Sequence, residues 1–236
     1  MKLVILDLEW NGTYSRRLKG FINEIIEFGA VMTNDRLEVI DTFEVLVRPQ
    51  VGKKISGKIE TLTNISNQDL SGGMLFMQAV SRFRKWADGA PILTWGTSDI
   101  LALIENCRYF GGDGRIPFLR QYIDLQKYCE AQMDYDPHKQ MGLSTAAQLL
   151  GISEEEFDHH RALDDSLLSL ECLKKLYDPE KLQSFMETAD REFYRKVQFK
   201  TVIVCDLDHP LIKRTDMTFH CDQCGRRAHR LTPWEF

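Results

Sequence analysis

Asp7 and Glu9 stand two positions apart at the end of the apolar run Leu3-Val4-Ile5-Leu6, and Gly12 follows as a turn signal. A short continuous apolar run reads as a strand buried on both faces. Side chains alternate along a strand, so both carboxylates point to one side. Close together at the end of a buried strand, they repel each other and are poorly hydrated. A divalent cation removes that conflict, and hard cations such as magnesium take carboxylate oxygen. The pair reads either as half of a metal site or as a strand that ends in two surface acids. Partners elsewhere in the chain decide between the two.

Three further residues have comparable contexts. Asp99 follows the short apolar stretch Ile92-Leu93-Thr94-Trp95 and the turn Gly96-Thr97-Ser98, where Thr97 or Ser98 caps a helix running to Tyr109. His160 and Asp165 lie in Asp158-His159-His160-Arg161-Ala162-Leu163-Asp164-Asp165-Ser166, which opens a helix to about Tyr177. Strand ends and helix N-termini are where open α/β sheets place their sites. Five residues exceed one helical turn, so His160 and Asp165 meet only if His160 sits in the loop before the helix. That arrangement suits a mobile base and a fixed ligand. His159 and Asp164 repeat the same spacing.

The elements that must position these residues follow in order. After the first strand, Ser15 to Gly20 is a small basic loop, either solvated or touching phosphate. Glu24 to Met32 and Leu37 to Val47 read as two more strands, giving an antiparallel meander. Gly52 to Ser71 reads as polar and irregular, with Leu62 to Ser66 a short turn leading to a helix cap; Met74 to Trp86 reads as an amphipathic helix, and Tyr122 to Met133 as a strand-to-helix passage. Leu143 to Leu150 is a short helix ended by Gly151. Beyond Pro179, Glu180 to about Lys196 reads as one more helix. Strands followed by alternating helices and short strands predict an α/β fold with a mixed sheet and flanking helices. The expected domains are 1–183 and a C-terminal helix with a tail, 184–236.

The tail has its own chemistry. Cys221-Asp222-Gln223-Cys224-Gly225 is a Cys-x-x-Cys turn, and Cys205 with His209 supplies a possible opposing half. His229 rivals His209 as the fourth ligand, whereas His220 adjoins Cys221 too closely. One structural zinc in a small zinc-ribbon-like tail is the expectation; unpaired thiols or a redox pair are the alternative. Arg226, Arg227 and Arg230 surround this cluster.

The 236 residues are 43% hydrophobic and 28% charged, with a formal charge of −5. That excludes a broadly basic nucleic-acid coat, though not a local basic groove. No apolar run approaches the ~18–20 residues of a membrane span, and no signal-peptide layout precedes the first strand. Six scattered or clustered cysteines do not form a secreted disulfide framework, so a cytoplasmic setting is expected.

Asp-x-Glu on the first strand, an Asp after a Trp-Gly turn, and His-x-Ala-x-x-Asp near the end together resemble the DEDDh 3′→5′ exonucleases. That superfamily contains polymerase proofreading subunits, oligoribonuclease and ribonuclease T. Glu24-Ile25-Ile26-Glu27-Phe28-Gly29-Ala30, Leu62-Thr63-Asn64-Ile65-Ser66 and the segment from Leu143 to Ile152 carry the likeness further. The turn Thr94-Trp95-Gly96-Thr97-Ser98-Asp99 is most similar to the branch of histone-mRNA and small-RNA-processing exonucleases and their bacterial sporulation-inhibitor-like relatives. The likeness covers about residues 1 to 180.

The resemblance implies a ribonuclease-H-like fold and hydrolysis with two Mg2+ or Mn2+ ions about 4 Å apart. It implies that Asp7, Glu9 and Asp165 hold one ion, that Asp7 bridges to the second, and that Asp99 sits near the second through water. His160 is the implied general base; only that register puts Ala162 two residues after the histidine. Leu62 and Asn64 are implied to line the terminal nucleotide. Trp10 stands where many relatives carry a small polar residue; it is either a contact for a base or plain core, and Trp95 is a further candidate contact for the substrate. The implied partner is the 3′ end of single-stranded nucleic acid, and the product a nucleoside 5′-monophosphate. RNA or short oligonucleotides are the expected substrates. A DNA-directed proofreading exonuclease and a regulatory protein that binds through a nuclease fold are the competing readings.

Overall fold

The strand that carries Asp7 and Glu9 forms the middle of the sheet, but it does not end at them as expected: its pairing with the next strand carries it on to Ser15. In the computed structural model, which describes residues 2–136, 138–154, 157, 161–197 and 224–226, β1 (Leu3–Ser15), β2 (Gly20–Thr33) and β3 (Val39–Leu46) make the expected antiparallel meander. β4 (Ile92–Thr94) and β5 (Gln121–Asp124) add in parallel on the other side of β1, and β6 (Glu187–Thr188) pairs antiparallel with β5. The order is β3-β2-β1-β4-β5-β6.

Helices cover both faces, which is why Leu3 to Leu6 is apolar at every position rather than at alternate ones. Val4, Leu6 and Leu8 face a core built with Phe28, Phe83 and the helices α3 (Phe76–Ala87) and α4 (Ser98–Gly111). Leu3 and Ile5 face the opposite core, with Val31, α5 (Leu125–Gln132), α6 (Leu143–Leu149) and α7 (Ala162–Leu176). Alternation therefore directs Asp7 and Glu9 to the side on which α7 packs.

Two sequence expectations change. The stretch expected to be irregular holds α1 (Gly57–Thr63) and α2 (Asn67–Ser71); the helix cap expected after the turn at 62–66 is Ser66, which opens α2. Each is too short to show periodicity, and each is set by its cap: Ser56 accepts from the Ile59 amide, and Ser66 forms a capping box with Asp69. The single helix expected over 180–196 is instead α8 (Pro179–Ser184), β6 and α9 (Arg191–Lys196). Asp178 caps α8, and a second Asp cap, at Asp190, restarts the helix. The chain divides into compact units Met1–Gln198 and Phe199–Phe236, so the first extends past 183: β6 completes the sheet and Phe193 of α9 is buried. No helix among the described residues is long and apolar enough to cross a membrane.

Candidate metal centre

Asp99 reaches the site through a gap in the sheet. The pairing of β1 with β4 stops at Ile5 and Leu93, which opens the next backbone groups on that edge. The Asp99 carboxylate accepts the Leu8 amide at 3.1 Å and fills part of the gap. The turn that delivers it is braced. Tyr122 Oη and Thr94 Oγ1 both donate to the Gly96 carbonyl, and Gly96 holds a left-handed φ of +80°. Trp95 Nε1 and Gln126 Nε2 both donate to the Met141 carbonyl at 2.9 Å. Thr97 is the N-cap of α4 but makes no side-chain cap bond.

Asp165 arrives from the other face, in the first turn of α7. This helix lies directly on β2: a Cβ on Gly29 would fall 2.0 Å from the Leu163 nitrogen. Ser166 Oγ donates to the Gly29 carbonyl at 2.9 Å. The wholly buried Glu27 carboxylate accepts the Ala162 amide at 3.0 Å and Arg161 Nη2 at 2.8 Å. A carboxylate at a helix N-terminus satisfies amides the helix itself leaves open and complements its dipole. Arg161 Nη2 also meets Glu44 at 2.8 Å.

Asp7, Glu9 and Asp165 consequently offer carboxylate oxygens that all lie within 4.8 Å of one another. Oxygens on opposite sides of one magnesium are separated by about 4 Å, so a small closure of these side chains fits such an ion. Asp99 lies outside this trio, with one oxygen committed to the Leu8 amide. Without a cation the group is strained electrostatically. Burial pushes Asp7 well above the usual carboxylate range, and the charges of Asp99, Asp165, Glu9 and Glu27 add to it. Burial, then Asp165, Glu27 and Asp99, raise Glu9 to about 8, opposed by the Arg161 guanidinium. Asp99 rises to about 7 by burial, partly offset by its backbone hydrogen bonds. Buried, mutually repelling oxygen donors suit a hard divalent cation.

The other candidates are spread more widely. Trp10 is half-buried against the α3–α4 core. Leu62 is exposed on α1, and Asn64 caps that helix with a φ of 54°. Trp95 is half-buried and tied to Met141. His159, His160, Cys205, His209, His220, Cys221 and His229 lie outside the described residues; Cys224 is an exposed free thiol. The sequence reading missed the roles of Glu27, Arg161 and Gly29. A glycine and a glutamate inside an apolar strand were the available signals: the first marks a close approach, the second demands a buried partner. Glu24 is likewise buried, and it accepts the Val51 and Gly52 amides at 2.6 and 2.9 Å.

Comparison with known proteins places this geometry. The profile of the exonuclease family RNase_T matches residues 4–173. The probable 3′-5′ exonuclease KapD of Bacillus subtilis is 31% identical over 177 residues, 73% of this chain and 82% of that protein. The PolC-type DNA polymerase III of Clostridium perfringens is 28% identical over 79% of this chain, but the match spans only 12% of the polymerase. Among solved structures, the nuclease domain of 3′hExo, a DEDDh family member bound to rAMP, superposes with a TM-score of 0.65 at 26% identity. That match covers 74% of this chain and 90% of the domain.

Proposed function

The chain belongs to the exonuclease family, and from that premise we propose that it removes nucleoside 5′-monophosphates from the 3′ ends of single-stranded RNA or short oligonucleotides. The observation that carries this reading is the meeting of Asp7, Glu9 and Asp165 beside Asp99 midway along β1, where its pairing with β4 has stopped. We assign these four acids to two divalent ions, magnesium or manganese. When bound, such ions neutralise charge developing on the attacking and leaving oxygens of an in-line displacement. Asp7, Glu9 and Asp165 hold their oxygens toward one point, and Asp99 stays fixed by the Leu8 amide.

His160 is assigned as the base that takes a proton from the attacking water, a role suited to a group titrating near neutrality. It immediately precedes Arg161, whose guanidinium is anchored on Glu27. His160→Ala should cost about 10²–10⁴-fold in turnover while metal and oligonucleotide still bind, and His159→Ala should be much milder. A dead His159→Ala variant with an active His160→Ala variant overturns this assignment. Leu62, Asn64, Trp10 and Trp95 are assigned to the terminal nucleotide.

The rAMP-bound likeness favours RNA, and the PolC likeness supports a DNA-directed reading as the second possibility. A protein distinguishes the two through the 2′-hydroxyl. The experiment is a parallel digestion of 3′-labelled single-stranded RNA, single-stranded DNA and duplexes with magnesium or manganese, with EDTA controls. Mononucleotide release from RNA supports the reading; faster release from DNA replaces the substrate; metal-independent or absent release from every strand overturns it in favour of a binding protein.

The tail is assigned one structural zinc held by Cys205, His209, Cys221 and Cys224. Metal analysis finding about one zinc per chain supports this, and a Cys221–Cys224 disulfide refutes it. A reducing, cytoplasmic compartment is favoured by three buried free thiols among the described residues, of which Cys107 and Cys172 are pushed by burial to about 12 and so are poor nucleophiles.

A further inference from the structure

β1 and β2 continue together past the sheet. β3 pairs with β2 only from Glu27 to Thr33, and β4 pairs with β1 only at Val4 and Ile5, yet β1 and β2 stay paired out to Ser15 and Gly20. The result is a two-stranded arm whose base carries Glu9 and whose tip is Tyr14 to Phe21. α4 runs beside it and binds it along its length. Glu105 accepts the Asn23 amide at 3.0 Å. The buried Asn106 accepts the Ile25 amide at 3.2 Å and donates to the Asn23 carbonyl at 2.7 Å. At the tip, Arg17 donates to the Tyr109 carbonyl at 3.0 Å and lies 4.9 Å from the centre of its ring. The arm is thus fixed rather than a loosely solvated loop.

Its tip has an unusual surface. Tyr14, Leu18 and Phe21 are 51%, 49% and 72% exposed. Tyr14 and Phe21 meet edge to face with ring centres 5.6 Å apart, leaving ring surface open to solvent. Arg16, Arg17 and Lys19 stand beside them, and no acid occurs between Trp10 and Asn23 in a chain of net charge −5. Exposed rings interleaved with cations are the chemistry that binds single strands, by stacking bases and neutralising phosphates.

Two of the three elements that bring acids to the metal centre, β1 and α4, therefore end in this patch. Five strand residues separate Glu9 from Tyr14, about 17 Å at ~3.3 Å per residue. Ten helical residues separate Asp99 from Tyr109, about 15 Å at 1.5 Å per residue. We propose that the arm's tip is a second nucleic-acid contact, which holds the body of a single strand whose 3′ end lies among Asp7, Glu9 and Asp165. This rests on the exonuclease reading for the placement of the 3′ end. At ~3.4 Å per stacked nucleotide, the tip contacts nucleotides about five positions from the scissile end, fewer for an extended strand.

The test compares full-length protein with two variants, Phe21→Ser and the double variant Arg16→Glu/Lys19→Glu, all checked for unchanged thermal melting. Affinity is read by fluorescence anisotropy on an oligouridylate of about twelve nucleotides in EDTA, across a salt series. Turnover is read on a uridine dinucleotide with magnesium. Each variant should bind the long strand about tenfold more weakly. The double variant should also lose about 1.4 from the salt slope, two cations at ~0.7 each. Dinucleotide turnover should stay within twofold of the parent.

Unchanged long-strand affinity overturns the proposal, and so does an equal loss on the dinucleotide, which locates the effect at the metal centre. Self-association abolished by Phe21→Ser with long-strand binding intact overturns it in favour of a contact between copies. A parent that binds the long strand through the tip but hydrolyses neither substrate supports the tip contact and instead overturns the exonuclease reading.

Discussion

α4 and α7 bring acids to the same stretch of β1 by their first turns, from opposite faces of the sheet, and they are held there by different means. α7 is anchored by residues outside the metal trio. Glu27 caps it, Arg161 clamps it and Ser166 pins it to Gly29, so Asp165 has no part in these anchors. α4 has its acid and one of its anchors in a single residue, because the Asp99 carboxylate also closes the open edge of β1 at Leu8. A site acid with separate anchors can lose its charge without moving its helix. A site acid that is its own anchor cannot be removed so cleanly.

The largest expected effects test that contrast on activity. Asp165→Asn should lower single-turnover cleavage on the order of 10³-fold, because ion stabilisation of the reacting oxygens is worth several kcal/mol. Metal-free thermal stability should fall less than in a variant that removes an α7 anchor, since Glu27, Arg161 and Ser166 still hold the helix. Asp99→Asn and Asp99→Ala should both impair cleavage, but only the alanine leaves the buried Leu8 amide without its acceptor. That should cost about 1–3 kcal/mol of stability. Equal stability of the two Asp99 variants in denaturant titrations would remove the anchoring role.

The next effects fall on the α7 anchors. Glu27→Ala strips the partner from Arg161 and the cap from the Ala162 amide. Breaking a buried pair costs about 3–5 kcal/mol; the arginine side chain is 26% exposed and keeps Glu44, so the lower end is expected. Cleavage should fall about 10–100-fold, as for outer partners that orient metal ligands. Gly29→Ala should act through the same contact, because its methyl meets the α7 backbone rather than a side chain that could move aside. Retention of parental melting by Gly29→Ala would contradict the close approach.

Acid–base behaviour separates the trio from its anchors more gently. Glu9 is raised from 4.5 to about 8 and Asp99 from 3.8 to about 7. The folded metal-free protein thus holds more protons than the unfolded chain between those limits. Stability that is present below pH ~4 is then lost as pH rises through 7 to 8. Saturating magnesium should flatten that decline by binding the folded anions. A metal-free stability that rises from pH 5 to 8 in calorimetry would contradict the crowding of these carboxylates.

Much of the site was legible because the chemistry demands few residue types. Asp7 and Glu9 could be paired from strand alternation alone, and the Trp-Gly turn put Asp99 at a helix start. Those are local facts. The reasons for Gly29 and Glu27 are not legible locally, because they lie more than a hundred residues away, at Leu163 and Arg161. The helix at 57–63 is not legible because a cap, not periodicity, defines it, whereas the turn at 62–66 does signal the cap that opens the helix at 67–71; the second Asp cap, at Asp190, breaks a segment whose composition suits one helix. The arm beyond Glu9 looked like a loop with basic residues. Only the pairing of Tyr14 with Phe21 shows that strand structure continues to its tip.

The smallest effect expected is the one that isolates the last α7 anchor. Ser166 is wholly buried, and its hydroxyl donates to the Gly29 carbonyl in the middle of β2. Alanine is a better helix former than serine by a few tenths of a kcal/mol, which offsets part of the lost bond. A net hydrogen bond of this kind contributes about 1 kcal/mol, so Ser166→Ala should destabilise by less than that. Glu27 and Arg161 still hold the N-terminus of α7, so Asp165 should keep its place and cleavage should stay within about twofold of the parent. The measurement is a denaturant midpoint beside a metal titration of turnover. A weaker requirement for anchoring at Gly29 would show as no shift in either. A raised metal requirement with little loss of stability would mean that Ser166 positions Asp165 directly, and the separation between anchors and ligands on α7 would no longer hold.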